Sequence, residues 1–309
     1  MDSVFAVNIP GGPTSRIGRQ YLKARFVEYT DASFTTPKPV QPQWAHLGLL
    51  GPVIRAVMGD SVHGVLKNKT SIATSTHVHG LLYGKESEGS MNSSTDPRGI
   101  VQPGGTHLYR YFARESSRPG PAQGSSPVWV YHSGVNTTQT NLNAGMVGAI
   151  VVTKRDKANA DATPTDVDRE IVTHYNIFDE NMSPYLNRNI ATYLPSVTKP
   201  MTDDFMMGNK MHSINGYIMA SHNEAIIMKT GEHVRRYVMG FGDVQGVHTA
   251  HWHGNVSIMS ERTTDVIEIH TAVAIVADMT PDDPGKWTCH CHVSNHAAAG
   301  IDTFYTVTP

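Results

Sequence analysis

Charge is scarce in this sequence: Asp, Glu, Lys and Arg make up 17% of its 309 residues, and the formal net charge is −2. That leaves no basic field to hold nucleic acid and no polybasic patch for a membrane surface. Long apolar runs are missing as well. None approaches the ~18 residues of a membrane span, and the start, MDSVFAVNIPGG, lacks a charged segment followed by an apolar one. A soluble chain carrying neither a membrane span nor a signal peptide is expected. Cysteine is nearly absent too. Cys289 and Cys291 are the only two, one residue apart, and a disulfide across so tight a loop is strained. A ligand or a free thiol is what remains.

Histidine is what the sequence has in excess: 17 residues, where ordinary composition gives about six. The length suits two domains of about 150 residues, each with its own core. Short β-rich runs, SVHGVLKN (61–68), HLYRYFA (107–113), GAIVVTK (148–154), AIIMKT (225–230) and TFYTVT (303–308), alternate with Gly, Pro, Asn and Asp. That spacing predicts antiparallel sandwiches or barrels, an all-β fold. Residues 156–168 are polar, contain Pro164 and carry no apolar period, so they read as a linker between domains at 1–155 and 169–309.

The two halves echo each other. HVHG at 77–80 is followed by Trp129-Val-Tyr-His132, and HWHG at 251–254 by Trp287-Thr-Cys-His290, as tandem copies of one fold would show. The copies differ in chemistry. The first has Thr74 where the second has His248, and Ser133 where the second has Cys291.

In a strand, residues i and i+2 share a face. His77/His79, His251/His253 and His290/His292 can therefore each aim two imidazoles in one direction, while Cys291 points the opposite way. Adding His248 and His296 on the thiolate side gives a His₂Cys set, which suits a blue copper electron-transfer centre rather than a closed four-ligand zinc site. The axial position falls on Ile301, which cannot coordinate, and a trigonal site of raised potential is expected. His46, His63, His107, His174, His212, His222, His233 and His270 read as ordinary structural histidines. Met201, Met206, Met207, Met211 and Met219 cluster ahead of this region and read as core or lid filling.

These residues, with LGLLGPVIRAVMGD (47–60), RPGPAQGSSPVWVYHS (118–133), FDENMSPYLNRNI (178–190), NKMHSINGY (209–217) and VHTAHWHG (247–254), resemble the multicopper oxidases, in flavour the ceruloplasmin and hephaestin branch. One such pair with a blue centre only in its second domain resembles the two-domain laccases. The resemblance implies two tandem cupredoxin-like Greek-key β-sandwich domains and a periplasmic or secreted homotrimer whose subunits enclose copper clusters. It also implies up to four copper ions per subunit, a small redox donor and dioxygen as acceptor. By the resemblance, His248, Cys291 and His296 are type 1 ligands, His77 and His251 the type 2 pair, and His79, His132, His253, His290 and His292 the type 3 set. Cys291 would hand electrons to His290 and His292.

Three departures qualify it. The family's second histidine after the first-domain tryptophan is Gly134, so one cluster copper would lack a ligand unless a spare such as His107 replaced it. His212 matches a substrate-side imidazole of the iron-oxidising branch, but Met207 and Asn295 stand where that branch carries carboxylates, so ferroxidase activity is not expected. Cys289 sits where the family has an apolar residue and reads as a buried inert thiol. Two alternatives follow from Gly134: one-electron nitrogen-oxide chemistry of the nitrite reductase kind, or a copper or electron carrier that does not turn over.

Overall fold

GAIVVT predicts a strand with no alternation, and the structure, a computed structural model, shows why. It describes residues 2–6, 17, 20–90, 98–120, 123–135, 138–195, 202–221, 226–241 and 246–309; His222, Met201 and the start of the 225–230 run lie outside them. The Val147–Thr153 strand is buried at every position. Ile150 and Val152 face the first domain's core with Val78, Tyr109, Tyr111 and Tyr131. Val147, Ala149 and Val151 face a second apolar cluster with Val172, Tyr237, Met239 and Phe241. A strand covered on both faces has no polar side to alternate with, and this one belongs at once to its own sandwich and to the seam with the next.

In the first half a four-stranded sheet, ordered Ile54–Val57, Val147–Thr153, Val128–His132 and His77–Val78, faces a three-stranded sheet of Ser61–Lys67, Thr106–Phe112 and Leu82–Tyr83. In the second half a six-stranded sheet runs Lys210–Ile214, Arg169–Asp179, Val234–Gly240, Val273–Met279, Ser257–Met259 and Arg262–Thr264. It packs on a five-stranded sheet of Ile227–Lys229, Asp302–Thr308, Gly285–Cys291, Val247–Trp252 and Val266–His270. Most pairings are antiparallel, as expected, but Ile54–Val57 with Val147–Thr153, Arg169–Asp179 with Val234–Gly240, and Ile227–Lys229 with Asp302–Thr308 are parallel. Strands that cross between the sheets of a sandwich return in that sense.

The repeated HxHG and WxxH motifs meet in space. Gly80 and Gly254 both have positive φ, +72° and +75°, and a Cβ on either would lie 2.1 Å from Trp129 or 2.6 Å from Trp287. Each tryptophan covers the turn that ends a histidine pair, and only glycine tolerates both the backbone and the approach. The 156–168 segment is polar but not loose. Ala158 bridges to Pro164, and Ser125 Oγ donates to Asp166 Oδ1 at 2.5 Å.

Candidate metal centres

Register places the histidines. His77 lies opposite His132 in the first half, and His251 opposite His290 in the second, where Ala250 faces Cys291. In the first half the His77, His79 and His132 rings stand 5.2–5.5 Å apart, and the Nε2 atoms of His79 and His132 are 3.1 Å from each other. In the second half the His251, His253 and His290 rings stand 4.8–5.2 Å apart, and His253 and His290 again bring Nε2 atoms to 3.1 Å. Each trio holds its ligand atoms within 4.8 Å, and the two trios are separate groups in the chain. His292 is exposed and belongs to neither, although its ring packs 5.2 Å from His251 and 5.4 Å from His290.

The third group is His248, Cys291 and His296, all buried. Cys291 Sγ lies 3.9 Å from His248 Nδ1 and 3.7 Å from His296 Nδ1. Cys291 does point away from its neighbours: it is wholly buried in the second-domain core, whereas His290 is half-buried. Ile301 is buried beside it, its carbonyl accepting from the Cys291 N–H and its own N–H donating to His296 O.

Carbonyl oxygens only accept, so each one bonded to an imidazole fixes which nitrogen carries the proton. His77 Nδ1 donates to Glu88 O at 2.6 Å, His132 Nδ1 to Ser133 O at 3.1 Å, His251 Nδ1 to Asp265 O at 3.0 Å and His290 Nδ1 to Cys291 O at 2.9 Å. Those four turn a bare Nε2 inward. His248 is reversed. Its Nε2 donates to Phe241 O at 2.8 Å, leaving Nδ1 for the thiol side. Such outer contacts orient metal-bound imidazoles. Burial also keeps His132 neutral, pulling its pKa down to about 4, and lowers that of half-buried His79; for exposed His253, slight desolvation and the neighbouring His251, His290 and His292 imidazoles act in the same direction. Imidazole trios with one nitrogen held by a carbonyl, and a third group of two imidazoles beside a buried thiol, fit copper.

At Gly134 the backbone leaves no room for the absent side chain. A Cβ would lie 2.6 Å from Gly89 O and 3.0 Å from Ser90 Cα, while Ser75 Oγ accepts from the Gly134 N–H at 2.9 Å and donates to Gly89 O. His107 does not replace it; its Nε2 donates to Glu86 O at 2.8 Å and its ring packs on Tyr109. His212 comes within 5.5 Å of the His296 ring and donates from Nδ1 to Lys210 O. His270 is exposed on the sheet edge, and Cys289 is buried with its Sγ 3.0 Å from the Tyr175 hydroxyl. Met206 and Met207 are exposed and Met211 is core.

His46 is an ordinary structural histidine, donating to Gln43 O and accepting from the Val172 N–H. His174 is not satisfied: it is fully buried, neither ring nitrogen has a partner among the described residues, and desolvation lowers its pKa to about 3. Sequence reasoning also missed Asp302, directly across from His290, whose carboxyl burial pushes up while His290 pulls it down. An acid beside a histidine run was readable in IDTF; its burial was not.

Two multicopper oxidase profiles match, one over residues 27–157 and one over residues 189–309. Human Ferroxidase HEPHL1 is 35% identical over 99% of this chain and 27% of its own length; human hephaestin is 35% identical over 95% and 26%, and human ceruloplasmin 34% over 97% and 28%. The chain thus spans about a quarter of the length of these curated relatives. Among solved structures, Multicopper Oxidase mgLAC aligns with TM-score 0.64 at 18% identity over 98% of this chain and 84% of that one. A copper nitrite reductase from Nitrosomonas europaea aligns with TM-score 0.62 at 19% identity over 100% and 91%. The fold is therefore two tandem cupredoxin-like domains. The sequence-based expectation against iron oxidation finds no support in these relatives, one of which is named a ferroxidase.

Proposed function

The chain belongs to the multicopper oxidase family, and from that premise we propose that it is a copper-dependent oxidoreductase. It takes single electrons from a small donor at His248, Cys291 and His296 and delivers them to a histidine cluster completed between subunits, where dioxygen is reduced. The observation that carries this reading is the pair of separate imidazole trios, one of them covalently continuous with the His₂Cys group through Cys291. Bound copper supplies the electron acceptance and the dioxygen reduction.

The chain's own residues do the rest. Cys291 lies between His290 and His292, so a short path of covalent bonds joins the two kinds of site. His248 is held by Phe241 O, and Ile301, buried beside Cys291, offers no ligand atom to a copper held there. His77 and His251 act as the type 2 pair, and His79, His132, His253, His290 and His292 as the type 3 set. Asp302, half-buried directly across from His290, is placed to exchange protons with the cluster.

His253 and His292 are exposed in the isolated chain, an arrangement that suits a lid from a second copy. In a homotrimer, domain 1 (1–155) of one subunit would cover domain 2 (169–309) of the next, closing each cluster symmetrically. Among the described residues no helix is long and apolar enough to cross a membrane, and a periplasmic or secreted location is part of this reading. His212, beside His296, marks the donor side. Met207 and Asn295 remove carboxylates that would hold a hard ferrous ion, whereas the ferroxidase among the relatives favours one, so a phenol and ferrous iron are the donors to compare.

Gly134 supports a second reading, in which the cluster lacks one imidazole and the protein carries copper or electrons without full dioxygen turnover, or acts on a small nitrogen oxide. Copper analysis with absorption and electron paramagnetic spectroscopy on the loaded protein decides. More than one copper per chain, a thiolate-to-copper band and donor-driven oxygen uptake support the oxidase. One copper per chain with the band and no oxygen uptake refutes it.

A further inference from the structure

The Val234–Gly240 strand carries two adjacent arginines, and every residue in it is buried. Alternation sends them to opposite sides. Arg235 faces the interdomain seam and is fully engaged, with Nε and Nη2 on Asp278 at 2.8 and 2.9 Å and Nη1 on Ser125 and Ser126. Arg236 faces the second-domain core and is 0% exposed. Its Nε and Nη1 have no partner among the described residues, and its Nη2 meets only the Met228 thioether, at 3.6 Å. Among the described residues no carboxylate pairs with it; instead the guanidinium lies over the Trp252 ring at 5.0 Å and the Tyr305 ring at 5.2 Å.

A guanidinium cannot shed its proton to escape burial. A charge held this way is costly, and two aromatic faces offset only part of that cost. Its place explains what the charge can do. Trp252 is the cross-strand partner of Cys289. Cys289 and Cys291 share one face of one strand and one core, roughly 7 Å apart along the chain. The Tyr175 hydroxyl is hydrogen-bonded to Cys289 Sγ at 3.0 Å, and its ring lies 6.5 Å from that of His248, tilted by 44°. Arg236 therefore lies against the same buried core that holds Cys291, where salt screens its charge little.

We propose that Arg236 is a positioning residue of an electrostatic kind: its uncompensated charge disfavours the oxidised, more positive metal and raises the reduction potential of the copper held by His248, Cys291 and His296. This rests on the copper reading of that group. It would work in the same direction as Ile301, a neighbour of Cys291 with no ligand atom to offer.

The test is a redox titration of the thiolate-to-copper band in the loaded, full-length protein and its variants. Arg236→Met and Arg236→Gln are expected to shift the electron-exchange equilibrium with a mediator toward the oxidised centre by tenfold or more, 59 mV for a one-electron couple. Arg236→Lys, which keeps the charge, should retain most of the parent potential. Met228→Glu supplies the missing carboxylate while leaving the arginine in place, and should lower the potential too; it decides the matter where the arginine variants do not fold. An unmoved potential in Met228→Glu, or in the folded neutral variants, overturns the proposal. So does an Arg236→Lys shift equal to that of Arg236→Met, which would assign the effect to packing. Absence of the band in the unsubstituted protein overturns the copper reading along with it, whereas a band of unchanged potential overturns the role of Arg236 alone.

Discussion

At corresponding places the two domains are built from one frame and filled with different chemistry. Where the second domain sets His248 and Cys291, the first sets Thr74 and Ser133. There the space is closed by ordinary hydrogen bonds: Thr74 Oγ1 to Met146 Sδ at 2.9 Å, and Asn141 Nδ2 and the Ser75 N–H to Ser133 Oγ at 2.8 and 3.1 Å. The imidazole trios, by contrast, match ring for ring, as do the glycine–tryptophan contacts beneath them. The frame is thus set by backbone constraints that both copies keep, and the His₂Cys group by side chains, His248 and Cys291 among them, that the first domain lacks.

The difference between the domains is greatest at Cys291. Cys291→Ser gives the second domain the residue the first already holds, so it should abolish the thiolate-to-copper band and donor oxidation entirely while leaving the circular dichroism intact. A surviving band would mean another thiol, Cys289, is the ligand.

Acid should separate the domains next. His132 in the first and His174 at the start of the second are held neutral by burial, with pKa values of about 4 and about 3 against an ordinary 6.5. Both must take up protons on unfolding. The metal-free protein therefore keeps this stability above pH 6.5 and loses it as the pH falls toward 4, by about 3 kcal/mol for His132 alone. Urea melts across that range should show His174→Leu flattening the loss; a stability independent of pH there would refute the burial argument.

The frame itself is tested by Gly80→Ala and Gly254→Ala. Each forces a side chain onto a positive φ and into a tryptophan, and should cost about 2–3 kcal/mol, with Gly80 the worse because its contact is closer. Equal midpoints for mutant and parent would show that the turn yields.

The smallest effect is expected at Gly134. Gly134→His restores the family's residue but meets Gly89 O, so it should lower stability by about 2 kcal/mol and bind no additional copper. A gain of one copper per chain would show that the segment around Ser90 moves aside.

These features were unequally visible in the sequence. The histidine pairs and the HxHG–WxxH echo could be read directly, because strand alternation and a repeated order of residues need no tertiary knowledge. The atoms that fix the tautomers could not: Phe241 O, Glu88 O and Asp265 O are backbone groups brought in by loops whose sequences carry no mark of it. Gly134 was legible as an absence, but not that Gly89 and Ser90 occupy its surroundings. VRRYVMG does not reveal which arginine is paired, since the strand is buried on both faces. His174 passed for an ordinary core histidine and is instead an unsatisfied one.

If the two trios complete each other between subunits, two chains broken in opposite domains must restore one another. A His132→Ala chain, impaired in domain 1, and a His290→Ala chain, impaired in domain 2, are produced separately and then together, and oxygen uptake and cluster copper are measured. Each variant alone should be inactive. Mixed trimers place an intact domain 1 beside an intact domain 2 at one junction in three, so co-production should recover up to about a quarter of the parent activity. No recovery from chains shown to co-assemble would contradict a cluster shared between subunits.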